Sequence, residues 1–514
     1  MRMGEGPCEE GGIDTAQALD MVTAVDSPSR WESLLFGAGV RTPTVSTAFR
    51  WAHNHLVAPE FRLFRFALLI GLFISFVLAP FTSWSIDTPG FVIGVISLLS
   101  SGNPYSSHLF INPPLAPFLQ APLFAVLSVW ISPQQLILTV PAIQPAATVT
   151  GVPVQIPSSV ALLALKLPLI AAYAVSGFTV LFLAETWVGP KRANSAAIAW
   201  LLNPLVIWAT AVHGEVDILA ALAVLFCFAA ILEHWHLLAG FSLGLGIMAK
   251  AYPLVLVPAI LVVLLMWRRP STPHVTFTRG VRFTLGLCMG ILPFVPYFGT
   301  LFDLYSAIGN STQYGGISFL SVFNRGELLP TTSVVAGLVL ARDAVWVHGV
   351  LIALFGIALV GSGATLAAVL RRLPFQSSRS LARPLAFAFT WALTGALMFQ
   401  TSPQSENLLT LLAMVAVLSY AERRLLRIVY WVLSMAGLFL YFSLLTPFAF
   451  FYPLANDIGL GWVIGLNSIL IAYQTRAWLA PPDLWLATGL LGATAIAALW
   501  VLCFKCLVRR WDLD

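Results

Sequence analysis

Apolar residues in this chain gather into runs of roughly 17–25, the length a helix needs to cross a hydrocarbon core about 30 Å thick. The runs predict helices at 62–82, 161–185, 193–212, 215–233, 236–250, 252–267, 282–299, 344–370, 384–400, 407–420, 428–446 and 484–505. Two intervals between them, 83–160 and 447–483, are too long for simple turns and contain further apolar stretches at 115–131, 134–150 and 459–473. These are expected to lie on the outer surface, to be re-entrant, or to form an added hairpin. Prolines across 104–157 favour broken interfacial structure, because a proline removes a helical hydrogen bond and crowds the preceding turn. The fold class this implies is an all-α polytopic membrane protein, a helix bundle of about 12 spans over 61–514. Its long first outer loop covers 83–160, with further outer loops at 300–343 and 447–483. Residues 1–60 lack the n-region, h-region and cleavage site of a signal peptide. They read as a largely disordered cytoplasmic extension with a short surface helix around Trp51 to Phe64. There is no repeat of fixed period and no inverted pair of broken helices.

Composition supports this pattern. Of 514 residues, 59% are hydrophobic and 10% charged, against about 25% charged in soluble proteins. Too few charges exist to cover the several soluble domains that such a length would otherwise imply. The net charge of +5 raises the question of a nucleic-acid partner. The charges sit at the ends of apolar runs rather than on a basic face with interleaved aromatics, which argues against one. With a cytoplasmic N-terminus, the inner segments collect Arg62, Arg65, Lys191, Arg192, Arg268, Arg269, Arg279 and Arg282. Arg371, Arg372, Arg379, Arg383, Arg423, Arg424, Arg427, Lys505, Arg509 and Arg510 join them, and the outer segments hold only Arg325, Arg342 and Arg476. That asymmetry orients the bundle with both termini inside. Of the five cysteines, Cys8, Cys227, Cys288, Cys503 and Cys506, none falls in an outer loop, so no disulfide is expected. The single C-x-x-C at Cys503 and Cys506 lacks a second pair or a nearby His for zinc.

Ionisable groups within or beside hydrocarbon are costly and invite a functional hypothesis. The candidates are Asp87, Lys166, His213, Glu215, Asp217, Lys250 and Glu406. All lie near the outer rim on this topology, with Lys166 about a turn and a half deeper, which suggests one outward-facing polar cavity. Such a cavity suits a lipid-linked sugar, whose head group sits at the interface while its tail stays in lipid. Transfer of the sugar needs a carboxylate base within reach of the acceptor hydroxyl, for which Asp87 is the candidate. It also needs donors or cations for the departing phosphate, for which Lys250, Arg325 or His213 are candidates.

The segments Asp87-Thr88-Pro89-Gly90-Phe91, Ser101-Gly102-Asn103-Pro104-Tyr105 and Asn112-Pro113-Pro114-Leu115 together resemble the first outer loop of GT-C glycosyltransferases. The branch most resembled is the polyprenyl- or dolichyl-phosphate-mannose-dependent one that includes the first GPI-anchor mannosyltransferase. Leu202-Asn203-Pro204, His213-Gly214-Glu215-Val216-Asp217, Ala239-Gly240 and Ala249-Lys250-Ala251-Tyr252-Pro253 resemble later spans of the same group. The resemblance covers roughly residues 84–260. It implies a GT-C-like bundle and an inverting transfer of a hexose, mannose above others, from a polyprenyl or dolichyl phosphate to a lipid-linked or surface glycan. Asp87 would be the base, Glu215 and Asp217 would shape the sugar or acceptor site, and Lys250 would stand near the phosphate. His213, Tyr105, Lys166 and Arg325 complete the candidate substrate-binding set. Members of the branch often carry Asp-x-Asp in this loop, whereas Ser85 stands at the earlier position here. That departure argues against a divalent metal held by paired acids, and the implied chemistry requires no cofactor. Implied partners are the lipid-linked donor, the glycan or glycolipid acceptor, membrane lipids and a small membrane subunit. The implied location is the plasma membrane of a prokaryote or the endoplasmic reticulum of a eukaryote.

Plainer readings stand beside these. Asp87 can be an interfacial cap before Pro89, Glu215 and Asp217 can open a helix as acids favoured by its dipole, and Lys250 and Lys166 can snorkel. Asn103, Pro104, Tyr105, Pro113 and Pro114 suit loop architecture. His234 and His236, flanking Trp235, suit an interfacial belt, and the Gly-x-x-x-Gly at 240–244 suits close helix packing. Asn310-Ser311-Thr312 is a sequon in an outer loop. Two rival functions are a transporter or flippase for a polar lipid or sugar, and a non-catalytic assembly subunit.

Overall fold

A computed structural model describes residues 45–83, 87–107, 110, 112–140, 154–267, 273–301, 345–372, 378–399, 407–421, 424–444, 453, 462 and 482–508. The chain opens with α1 (Val45–Val57), then α2 (Arg62–Leu78), α3 (Asp87–Ser101) and α4 (Leu115–Leu127). A ribbon of β1 (Ile137–Val140) and β2 (Val154–Pro157) leads to α5 (Ser159–Val188), α6 (Pro190–Leu201) and α7 (Pro204–His213). Next come α8 (Asp217–Leu232), α9 (His236–Ala249), α10 (Tyr252–Met266) and α11 (Pro273–Ile291). The described chain closes with α12 (Val345–Arg372), α13 (Ser378–Phe399), α14 (Leu408–Ala421), α15 (Arg424–Leu444) and α16 (Pro482–Val508).

Each run predicted as a helix contains a helix among the described residues. Six helices are long and apolar enough to cross a membrane, or seven if the bent pair α6–α7 is one span, among the described residues. The bend of 46° lies at Asn203-Pro204. Pro204 cannot continue the ladder of α6 but suits the first turn of a new helix. The Asn203 Oδ1 caps that turn, accepting from the Leu205 N–H at 3.0 Å, and its Nδ2 donates to Tyr430 and Ser434 hydroxyls at 2.7 Å each. The break is thereby anchored to α15.

Two features depart from the sequence reading. The helical bundle carries one short ribbon among its described residues, β1 and β2, which pair antiparallel from Ile137 opposite Pro157 to Val140 opposite Val154. This ribbon takes part of the apolar stretch 134–150, where the prolines favour broken interfacial structure. The run Ile137-Leu138-Thr139-Val140, β-branched at three of its four positions, suits a strand. The second departure is α3, an apolar helix inside the supposed first loop. Pro89 in its first turn is tolerated because N–H groups there have no helical partner. Gly102, at φ +73°, ends it in a left-handed turn whose N–H donates to the Leu98 carbonyl at 2.9 Å. Phe91, Val92 and Val95 bury one face of α3. The stretch 115–131 is helical over α4, while 459–473 lies outside the described residues except for Trp462.

The core centres on α14, whose apolar side chains from Leu408 to Leu418 are almost wholly buried. It packs against α5, α6, α8, α13 and α15. The periphery is inverted relative to a soluble protein: Phe66, Phe73, Phe277, Leu285 and Leu292 are all more than half exposed. In water such a surface would promote association, whereas a bilayer would cover it. Near the start of the described chain, α1 docks on the end of α5. There the His55 Nε2 lies 2.7 Å from Glu185 Oε2 and Trp51 meets Phe182 edge-on at 5.5 Å.

Candidate functional site

The site forms where α7 ends, α8 begins, and α9 gives way to α10. The last turn of α7, Trp208–His213, is a π-helix. Gly214 follows at φ +83°, and its N–H and that of Glu215 both donate to the Ala209 carbonyl, at 3.0 and 2.8 Å. A Cβ on Gly214 would also stand 3.1 Å from Lys166 Cε, so backbone angle and space both call for glycine. This tight reversal lets His213, Glu215 and Asp217 converge instead of trailing along one helix. Lys250, extended just past α9, meets them from the other side.

The His213 Nε2 is 3.1 Å from Glu215 Oε1, and Lys250 Nζ is 3.9 Å from Glu215 Oε2 and 3.2 Å from Asp217 Oδ2. Tyr252 donates its hydroxyl to Asp217 Oδ1 at 3.1 Å and lies 2.6 Å from Thr410 Oγ1. Relative exposure is 3% for Glu215, 0% for Asp217 and 14% for the Lys250 side chain. A buried carboxylate without a counter-charge would be strongly destabilising, so the shared ammonium is what permits both acids here. Two carboxylates against one ammonium leave the cluster rich in acceptors. It is chemically suited to hold hydroxyl groups or a proton, and the charge of Lys250 is already engaged by the acids.

The first loop is tied to this cluster by Lys166. Its ammonium is fully buried and donates to the carbonyls of Thr82, Val212 and Ala79 at 2.7, 2.8 and 3.1 Å, and lies 3.2 Å from Thr82 Oγ1. Lys166 therefore pins the end of α2 to the end of α7, and those carbonyls occupy its ammonium. The Thr88 hydroxyl donates to the His213 carbonyl at 3.1 Å. Asp87, the first residue of α3, thus stands in sequence beside a direct contact with the His213–Asp217 turn.

The remaining predicted residues fall elsewhere. Tyr105 is buried against Phe110 and donates its hydroxyl to the Asn112 carbonyl at 2.9 Å, which closes the loop between α3 and α4. Arg325, Glu406 and the sequon at Asn310 lie outside the described residues. Sequence reasoning missed Tyr252 and Thr410. Tyr252 had a local signal, since it lies two residues beyond Lys250 in the Lys250-Ala251-Tyr252-Pro253 segment, whereas Thr410 is one polar position in an apolar run. Among the described residues no group of three or more His, Cys, Asp or Glu side chains is disposed to hold a metal. No protein-family model and no curated protein matches this chain.

Proposed function

We propose that this chain is a GT-C-type membrane glycosyltransferase that moves a hexose, mannose by the resemblance, from a polyprenyl- or dolichyl-phosphate donor to a lipid-linked or cell-surface glycan on the non-cytosolic side. In this reading the chain has about twelve spans and both termini face the cytosol. Asp87 is the general base, and the acceptor-rich cluster of Glu215 and Asp217 receives sugar hydroxyls. Lys250 orients the two acids. The phosphate is met by Arg325 or by backbone donors, because Lys250 is already engaged.

The observation that carries the reading is the Thr88 hydroxyl on the His213 carbonyl. It ties the start of the Asp87 helix to the buried cluster formed with Lys250. A base and a hydroxyl-binding group must stand together for transfer between bound partners.

One observation favours a transporter or flippase instead. Glu215 and Asp217 are buried inside the bundle, where paired acids also serve ion and substrate pathways. Mass-spectrometric comparison of lipid-linked glycans from membranes with the wild-type chain, without it, and with Asp87→Asn separates the two. The transferase reading expects the product to disappear without the chain. It expects transfer by Asp87→Asn, at normal expression, to fall by about 10²–10⁴-fold. Unchanged transfer by Asp87→Asn would refute it, and lost uptake or flipping with intact transfer would favour the transporter.

A further inference from the structure

A second polar cluster sits at the opposite end of the bundle. Helix α9 separates it from Lys250, so the two lie about 20 Å apart at 1.5 Å per residue. It gathers His234 from the α8–α9 turn, His236 from the start of α9, Trp267 from just past α10, and Arg279 and Arg282 from α11.

Glycines bring these residues together. A Cβ on Gly240 would overlap the Phe283 carbonyl oxygen, and one on Gly286 the Leu237 carbonyl oxygen. Cβ atoms on Gly244 and Gly290 would lie 2.7 Å from the Leu287 and Phe241 carbonyl oxygens. The matching order of these contacts makes α9 and α11 parallel, with backbones touching as small-residue seams allow. The first turns of α9 and α11 are therefore held at the same end of the bundle.

Within the cluster, Arg279 Nη1 donates to the Trp267 carbonyl at 2.9 Å, which fixes the guanidinium beside the indole. The His234 ring stacks on Trp267 at 4.3 Å and 12°. His234 is the one non-glycine residue with positive φ, +62°, among the described residues. Such strain persists where surrounding structure imposes it and concentrates at functional sites. The His236 ring is 6.0 Å from His234, within electrostatic reach of Arg279 and Arg282. It is 5% exposed, and its Nδ1 has no hydrogen-bond partner among the described residues. Glu233, in the same turn, is half-buried, and desolvation pushes its carboxyl upward.

We propose that this cluster binds a phosphate group, supplied by the head group of an anionic membrane lipid. Two guanidiniums and two imidazoles converge on one rim, and planar Arg forks match phosphate oxygens. The buried Nδ1 of His236, as the N–H tautomer, would gain the acceptor it lacks. The indole of Trp267 suits the interfacial depth at which a lipid phosphate lies.

The full chain in neutral detergent can be titrated with phosphatidylglycerol, phosphatidylcholine or inorganic phosphate and read by native mass spectrometry and thermal unfolding. Phosphatidylglycerol is expected to bind about tenfold tighter than phosphatidylcholine, and Arg282→Gln to remove about that factor. His236→Ala is expected to weaken binding, and Arg282→Lys, which keeps charge and stem, to bind at intermediate strength. Equal retention of the two lipids by the wild type would overturn the proposal, as would undiminished phosphatidylglycerol binding in well-folded Arg282→Gln and His236→Ala. If inorganic phosphate alone reproduces the stabilisation and displaces the lipid, the phosphate site stands and the lipid source is overturned. None of these outcomes depends on glycosyl transfer.

Discussion

Lys250 Nζ lies 3.2 Å from Asp217 Oδ2, which joins the end of α9 to the start of α8 through an ion pair almost shielded from solvent. Removing the ammonium leaves two buried carboxylates facing each other. Lys250→Met is expected to destabilise the protein by about 3–5 kcal/mol. Asp217→Asn combined with Lys250→Met should recover part of that loss. Thermal unfolding of the single and double variants in detergent checks this, and additive effects would mean the pair is not coupled.

Lys166 donates to backbone carbonyls from two separate elements, α7 and the end of α2. Lys166→Met keeps the stem and removes the donors. The expected cost is about 1–3 kcal/mol, with relief of desolvation offsetting part of the lost hydrogen bonds. Because the lost bonds hold Thr82 against Val212, the proposed transferase function implies that transfer falls more than the yield of folded protein does. Fluorescence-detected gel filtration alongside a glycan assay reads both quantities.

Close approach of α9 and α11 makes Gly240 and Gly286 intolerant of a methyl group. Gly240→Ala should cost about 1–3 kcal/mol through forced separation of the backbones. Gly280, in the same helix α11, has nothing within 4 Å of its virtual Cβ. Gly280→Ala should instead be neutral or stabilising by up to about 1 kcal/mol. Opposite signs in paired melting curves are the expected result.

Glu233 gives a pH dependence with a definite sign. Burial raises its carboxyl above the ordinary value of 4.5, so the folded state binds this proton more tightly than the unfolded state. The stabilising contribution is full below pH 4.5 and is lost as pH rises through the folded value. Glu233→Gln should therefore be more stable than wild type at neutral pH, with the difference shrinking in acid. The difference between wild-type and variant unfolding curves across pH 4–8 isolates this group, and a gap that widens in acid would contradict it.

Much of the fold was legible because it is written locally. Run length and bounding polar residues located the helices, and Gly240 with Gly244 marked a packing seam, whereas the break at Asn203-Pro204 inside the run 193–212 went unread. The partner seam at Gly286 and Gly290 went unread, since a seam is recognised only once its opposite helix is known. Helix α3 was overlooked because its apolar stretch is short and opens with Asp87, Thr88 and Pro89, which also suit a loop.

The linear order of residues determined by itself that this chain builds apolar helices with scarce ionisable groups near their ends. Hydrophobic run length depends only on neighbours in sequence. Tertiary packing decided what those groups do. Lys166 turns to backbone carbonyls, Lys250 is claimed by Glu215 and Asp217, and Thr410 reaches Tyr252 across 158 positions. His234 meets Trp267 through helices held by glycine contacts. Partner choice for a buried polar group depends on which helices face one another, and that depends on the packing of the whole bundle.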